Sequence, residues 1–187
     1  VDFGATDKPL KPEELSRNGL VQFPAAIGGV VPVFNLPGIG SGQLRLTGPL
    51  LGEIFMGHIR RWNDPRLAAA NPGVKLPPFP ITVVHRADGS GTTFLFTSYL
   101  TQTSPGWARA VGASDAVKWP AGIGGKGNDG VAAFVRQTYG SLGYVEYVYA
   151  RKGKVSYALV QNAAGQYPAP APASFAAAAG AAPWGLS

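Results

Sequence analysis

The chain has 187 residues and a mass of 19.4 kDa, enough to bury a core without staples. Hydrophobic residues make up 45% and charged residues 14%, which excludes a disordered chain, and the absence of cysteine excludes disulfides, CxxC redox sites and thiolate metal sites. The net charge of +6 favours anions in general, but the densest basic run, Gly57-His58-Ile59-Arg60-Arg61-Trp62, is too short for a nucleic-acid stripe.

In chain order, Val1 to Ala5 reads as a short strand. Pro12-Glu13-Glu14-Leu15 reads as a helix start, with Pro in the first turn and acids near the positive end of the dipole, and Gly19 stops it. Leu20-Val21-Gln22-Phe23 and Gly29 to Phe34 read as strands, and Pro32 places the second at an edge or crossover. Leu44-Arg45-Leu46 is a further short strand. Leu50 to Met56 is a short apolar helix, and Asp64-Pro65 starts another that ends at Asn71-Pro72-Gly73. Ile81-Thr82-Val83-Val84 is a buried-type strand. A helix runs from Thr93 to about Leu100, and a further turn or two covers Trp107 to Val111. Gly122 to Gly130 reads as a Gly-rich loop. A helix begins at Val131 and stops at Gly140. Leu142 to Tyr149 and Val155 to Val160 read as strands. Pro168 to Pro172 is a low-complexity loop, with a weak helix over Phe175 to Ala179. Strands alternating with helices indicate an α/β class. The longest apolar stretch, Phe23 to Gly40, is broken by three prolines and does not read as a membrane span.

The sharpest local motif is Arg86-Ala87-Asp88-Gly89-Ser90-Gly91-Thr92-Thr93, where a strand passes into a helix. A helix start offers unpaired N–H groups and partial positive charge, and glycines let an anion approach the backbone. Ser90 and Thr92 add hydroxyls, and Arg86 adds a planar fork suited to tetrahedral oxyanions. Asp88, two residues on, shares a face with Arg86 on a continuing strand and can hold its guanidinium. A plain Ser90 N-cap in a Gly turn fits the same residues, and the motif alone leaves both readings open. A serine hydrolase fits less well: the nucleophile elbow needs G-x-S-x-G, and Ala87 stands where its first Gly belongs. Gly122-Ile123-Gly124-Gly125-Lys126-Gly127 fits G-x-G-x-x-G in form, but it follows Trp119-Pro120 rather than a strand. No Walker A motif is present. His58 and His85 lack ligand spacing, so no metal and no cofactor are expected.

Six segments in order carry a resemblance: Asp2 to Asp7; Gln22-Phe23-Pro24 with Ile27 to Val31; Arg86 to Thr92; Lys118-Trp119-Pro120; Gly124 to Gly130; and Gly143 to Tyr147. In this order the chain resembles the periplasmic phosphate-binding proteins of bacterial ABC phosphate importers, the PstS family, from residue 1 to about 160. The resemblance implies a two-lobed α/β clamp, the type II periplasmic-binding-protein fold, with phosphate between the lobes. It implies that residues 1–26 are a fragment of lobe one and residues 27–187 most of lobe two. By position, Asp7 matches the proton-accepting aspartate, Arg86 and Asp88 the arginine and its orienting aspartate, and Ser90, Gly91 and Thr92 the donors at the helix start. His85 has no expected role.

The family chain begins earlier and continues later than this one, and the phosphate loops expected before Val1 are not in the sequence. The expected function is therefore a receptor that binds inorganic phosphate and delivers it to ABC permease subunits, with weak or no binding by this chain alone. It would be a monomer, no enzyme, without nucleic-acid partners, and periplasmic or otherwise extracytoplasmic; a lipid anchor is left open. The alternatives are a phosphoryl-ester hydrolase using Ser90 and a surface interaction protein on the same fold.

Overall fold

The structure, a computed structural model, describes residues 3–181. Val1 and Asp2 of the first expected strand, and the final Trp184 to Ser187, lie outside the described residues. Phe3 to Ala5 form no strand. α1 (Pro12–Asn18) ends where Gly19 takes up the left-handed conformation, as the sequence predicts. Lys11 lacks a capping oxygen, but Glu14 Oε2 accepts the Lys11 N–H at 3.0 Å and serves this helix start instead. Leu20 to Phe23 is a correction: it is irregular and exposed, with no ladder partner among the described residues.

The remaining elements are β1 (Val30–Phe34), β2 (Arg45–Leu46), α2 (Gly48–Phe55), α3 (Pro65–Ala70), β3 (Thr82–Arg86), α4 (Gly91–Thr103), α5 (Pro105–Ala110), β4 (Ile123–Gly125), α6 (Gly127–Gln137), β5 (Ser141–Glu146), α7 (Tyr147–Lys152), β6 (Ser156–Tyr157), β7 (Leu159–Val160) and α8 (Pro172–Ala181). Three of these correct the sequence reading. The Gly122 to Gly130 segment is a strand and a helix start rather than a loop. The expected strand Leu142 to Tyr149 turns into helix at Tyr147, and Val155 to Val160 divides between two sheets.

The main sheet has the order β4-β3-β5-β1-β6, and β2 pairs with β7 in a small parallel ribbon. β4, β3 and β5 are mutually parallel, whereas β1 is antiparallel to both neighbours. Pro32 lies one position beyond the two residues of β1 that pair with β6, and its carbonyl accepts from Ala158 N–H on that side. Its missing donor therefore faces the short outer strand, where a proline does least damage.

Strand alternation sorts the core into two layers. Phe34, Val83, Leu142 and Tyr144 join Phe55, Phe96, Leu100, Trp62 and Trp107 on one face. Val31, Val33, Val84 and Val145 join Val131, Ala132, Val135 and Ala150 on the other. Helices α2, α4 and α5 cover the first face and α6 and α7 the second, a three-layer arrangement within the α/β class that the sequence implies.

Candidate functional site

The three parallel strands end together, β4 at Gly125, β3 at Arg86 and β5 at Glu146. The helices that follow β3 and β4 leave toward opposite faces, α4 onto one core layer and α6 onto the other. A crevice at the carboxyl ends of parallel strands, where the chain diverges this way, is the standard ligand position in α/β sheets.

Arg86 is the last residue of β3, and its side chain is only 10% exposed. Asp88 holds it in a two-pronged contact, Nε to Oδ1 at 2.8 Å and Nη2 to Oδ2 at 2.5 Å. Asp88 Oδ1 also accepts the Gly127 N–H at 3.1 Å, which ties the loop to the start of α6. The adjacent guanidinium holds the Asp88 carboxyl well below the usual carboxylate range, against the opposing effect of burial. Arg86 is raised in turn, first by its bond to Asp88. Nη1 makes no hydrogen bond among the described residues, so the fork keeps donors for a ligand.

Ser90 is the N-cap of α4, its hydroxyl oxygen accepting from Thr93 N–H at 3.2 Å. Its own N–H donates to Asp115 O at 2.9 Å. The next two N–H groups, of Gly91 and Thr92, donate to nothing among the described residues. They are the open donors at the start of a 13-residue helix.

Asp7 comes to this same helix start from far away in sequence. A Cβ placed on Gly91 would sit 2.5 Å from Asp7 Cβ and 3.1 Å from its Cα, so only glycine lets the two segments touch. Lys8 anchors the approach by an ion pair to Asp115 Oδ1 at 3.1 Å. The structure thus gathers all six expected residues, Asp7, Arg86, Asp88, Ser90, Gly91 and Thr92, around one strand end and one helix start.

One expectation changes. Thr92 is buried, and its hydroxyl donates to Glu146 Oε1 at 3.3 Å rather than standing free as a donor. Asn128 Nδ2 reaches the same Glu146 oxygen at 2.8 Å, and Glu146 N–H returns to Asn128 Oδ1 at 3.2 Å. The residue reading missed this triangle, although Asn128 and Glu146 lie inside two of the six recognised segments. It also missed Tyr144, whose hydroxyl contacts Thr93 Oγ1 at 2.6 Å and accepts Arg86 N–H at 3.2 Å. Burial pushes the Tyr144 phenol up to about 12, so it stays neutral and available as a hydrogen-bonding group. His85 stacks on Trp119 with ring centroids 4.8 Å apart, and burial lowers its pKa. No hydrogen bond joins it to Ser90.

Comparison with known proteins adds the family. The PBP superfamily domain matches residues 1–179. Phosphate-binding protein PstS of Xylella fastidiosa is 57% identical over 184 residues, covering 98% of this chain and 50% of the relative. The PstS of Haemophilus influenzae is 55% identical over the same length, covering 98% and 55%. A solved high-affinity periplasmic phosphate-binding protein, bound with phosphate, matches with a TM-score of 0.68 at 24% identity, over 95% of this chain and 52% of that one; it bears on the fold alone. The chain spans about half the length of the curated relatives it matches. A strand-end crevice in a three-layer α/β fold, matched along nearly its whole length, places this chain in the PBP superfamily, with phosphate-binding PstS proteins as its homologues.

Proposed function

We propose that this chain forms most of one lobe of an extracytoplasmic receptor that binds inorganic phosphate and hands it to an ABC permease without altering it. The observation that carries the reading is the convergence of the Arg86–Asp88 pair, the free Gly91 and Thr92 N–H groups and the Asp7 carboxylate at one helix start. Arg86 and the helix N-terminus supply donors for a tetrahedral oxyanion. Asp7 supplies the discrimination. A phosphate at neutral pH keeps a proton that a carboxylate can accept, whereas sulfate would bring bare oxygens against the Asp7 charge. The 57% identity to a protein named for phosphate binding supports the same ligand.

In this reading, residues 1–26 belong to lobe one and residues 27–187 to lobe two. The exposed apolar side chains of the first segment, Phe3, Val21 and Phe23, support the division, as does α1, which buries no residue. The core clusters begin only at Val31. The receptor acts as a monomer outside the cytoplasm. Among the described residues no helix is long and apolar enough to cross a membrane.

Hydrolysis at Ser90 has less support than phosphate capture. The hydroxyl caps α4 and has no base within hydrogen-bond reach among the described residues. The test is calorimetric titration of this chain extended to its relatives' full length with the flanking segments of the Xylella fastidiosa protein. Phosphate is expected to bind tightly, with binding abolished by Arg86→Ala. The isolated chain, with one face of the clamp, is expected to bind more weakly than micromolar. Tight binding of sulfate, or turnover of p-nitrophenyl phosphate that Ser90→Ala removes, would overturn the reading.

A further inference from the structure

The end of α7 carries a cluster of cations that the phosphate crevice does not use. There Lys154 N–H donates to Arg151 O at 3.2 Å, and Val155 N–H donates to Ala150 O at 3.0 Å. α1 closes with the same pair of bonds, Gly19 N–H to Ser16 O and Leu20 N–H to Leu15 O, and its pivot is a glycine. In α7 the pivot is Lys154, at φ 50, the one non-glycine residue with positive φ among the described residues. The left-handed region strains a lysine but not a glycine. Offsetting the helix dipole does not require the lysine, since Arg151 and Lys152 already stand in the last turn.

This turn edges a pocket of 270 Å³ whose lining includes Ser41, Arg151, Lys154, Ser156 and Tyr157. Among the described residues no carboxylate lines it, and neither cation is in an ion pair. Ser41 Oγ accepts Tyr157 N–H at 3.4 Å, so its hydroxyl proton remains for a ligand. The pocket lies at the opposite end of the sheet from the crevice. β1 pairs Val30 with Glu146 at the crevice end, and Phe34 with Ser156 at the other.

The pocket holds roughly nine water volumes, room for a small organic molecule rather than a bare ion. Arg151 and Lys154 offer two charges, one of them on a planar fork. A phosphate monoester, with a charge of about −1.5 to −2 at neutral pH and three acceptor oxygens, matches both; a carboxylate would neutralise only one. Ser41 and Ser156 suit the hydroxyls of a polyol that carries the phosphate.

We propose that the pocket between α7 and β6 is a second ligand site, for a phosphate monoester of a small polyol such as glycerol, held by Arg151 and Lys154. The ester comes either as a soluble solute or as the headgroup of phosphatidic acid. The site stands apart from the phosphate reading of the crevice and does not depend on it.

The experiment follows the backbone amide signals of Ser41, Lys154 and Tyr157 by nuclear magnetic resonance in the full-length protein with inorganic phosphate present. The additions are glycerol 3-phosphate and, separately, phosphatidylcholine vesicles with and without phosphatidic acid. Lys154→Gly is the deciding variant, because glycine relieves the turn. It is expected to hold or raise the melting temperature while lowering affinity for the ester by about tenfold or more, the scale of one charge-assisted hydrogen bond. Arg151→Gln should lower it similarly, and Lys152→Ala, outside the pocket lining, should leave it unchanged. Shifts with glycerol 3-phosphate support the soluble source, and shifts only with phosphatidic acid vesicles support the headgroup. No response to either ligand would overturn the site, as would binding that survives both Lys154→Gly and Arg151→Gln or that falls equally in Lys152→Ala. Loss of phosphate capture at the crevice would leave these signals untouched, so the two readings fail separately.

Discussion

Asp7 lies against Gly91, so close that a single added carbon on Gly91 would come within 2.5 Å of the Asp7 side chain. The two residues are 84 positions apart, and their contact brings the segment before α1 to the N-terminus of α4. A negative group is thereby held at the positive end of a helix, beside the proposed anion site. Gly91→Ala is expected to push Asp7 away and weaken phosphate binding by about tenfold or more, a loss of at least one hydrogen bond's worth of affinity. The melting temperature should move little, because Asp7 is exposed. Calorimetry and a thermal melt on the same sample check both halves.

Asp7→Asn removes the charge and keeps the size. An amide can donate to a bare sulfate oxygen as well as accept from a protonated phosphate. The preference for phosphate over sulfate should narrow by about tenfold or more, since like-charge juxtaposition costs several kcal/mol. Competition titration with the two anions measures it; an unchanged preference would remove Asp7 from the selecting role.

The Arg86–Asp88 pair sets an acid limit. Asp88 is depressed in the folded protein, chiefly by its bond to Arg86. A carboxyl lowered on folding contributes stability above its unfolded value of about 4, and the contribution is lost as pH falls below that toward the folded value. Stability and phosphate binding should therefore be insensitive to Asp88 from neutral pH down to about 4, with the Asp88 share of acid unfolding appearing only below it. Asp88→Asn should remove that share and leave the guanidinium without its two-pronged hold, lowering phosphate affinity by about tenfold to a hundredfold. Acid titration followed by circular dichroism, with calorimetry at pH 7, tests both.

Tyr144 supports the site from below. Its hydroxyl joins Thr93 to the backbone N–H of Arg86 inside the core. Tyr144→Phe leaves those groups short of a partner and should destabilise the fold by about 1–3 kcal/mol. The phenol is raised on folding to about 12, so its stabilising share is complete below about pH 10 and is lost as pH rises through 12. Ultraviolet difference spectra should show its phenolate last among the tyrosines.

Much of this arrangement is legible in the residues. β3 and α4 are marked by Val83, Val84 and the Ser90 cap, and the turn between them lies where the sequence predicts it. The contact of Asp7 with Gly91 is not legible from spacing, and only the family resemblance brought the two together. The glycines of the 122–130 segment misled for a physical reason. A side chain on Gly125 would meet Val131 N at 2.8 Å, so the glycine marks a strand packed tightly on a helix rather than a flexible loop. Leu20 to Phe23 carries strand-forming residues yet stays irregular, because a strand needs a neighbour to pair with and propensity alone does not supply one. The Glu146 triangle was hidden because its three members come from three separate elements.

The most direct test of the phosphate site is a crystal structure of the full-length protein grown with phosphate. The account predicts a phosphate with oxygens in hydrogen-bond reach of the Arg86 guanidinium and the Gly91 and Thr92 N–H groups, and with its proton toward Asp7. A phosphate bound elsewhere, or one that leaves Arg86 and the start of α4 without contact, would contradict it.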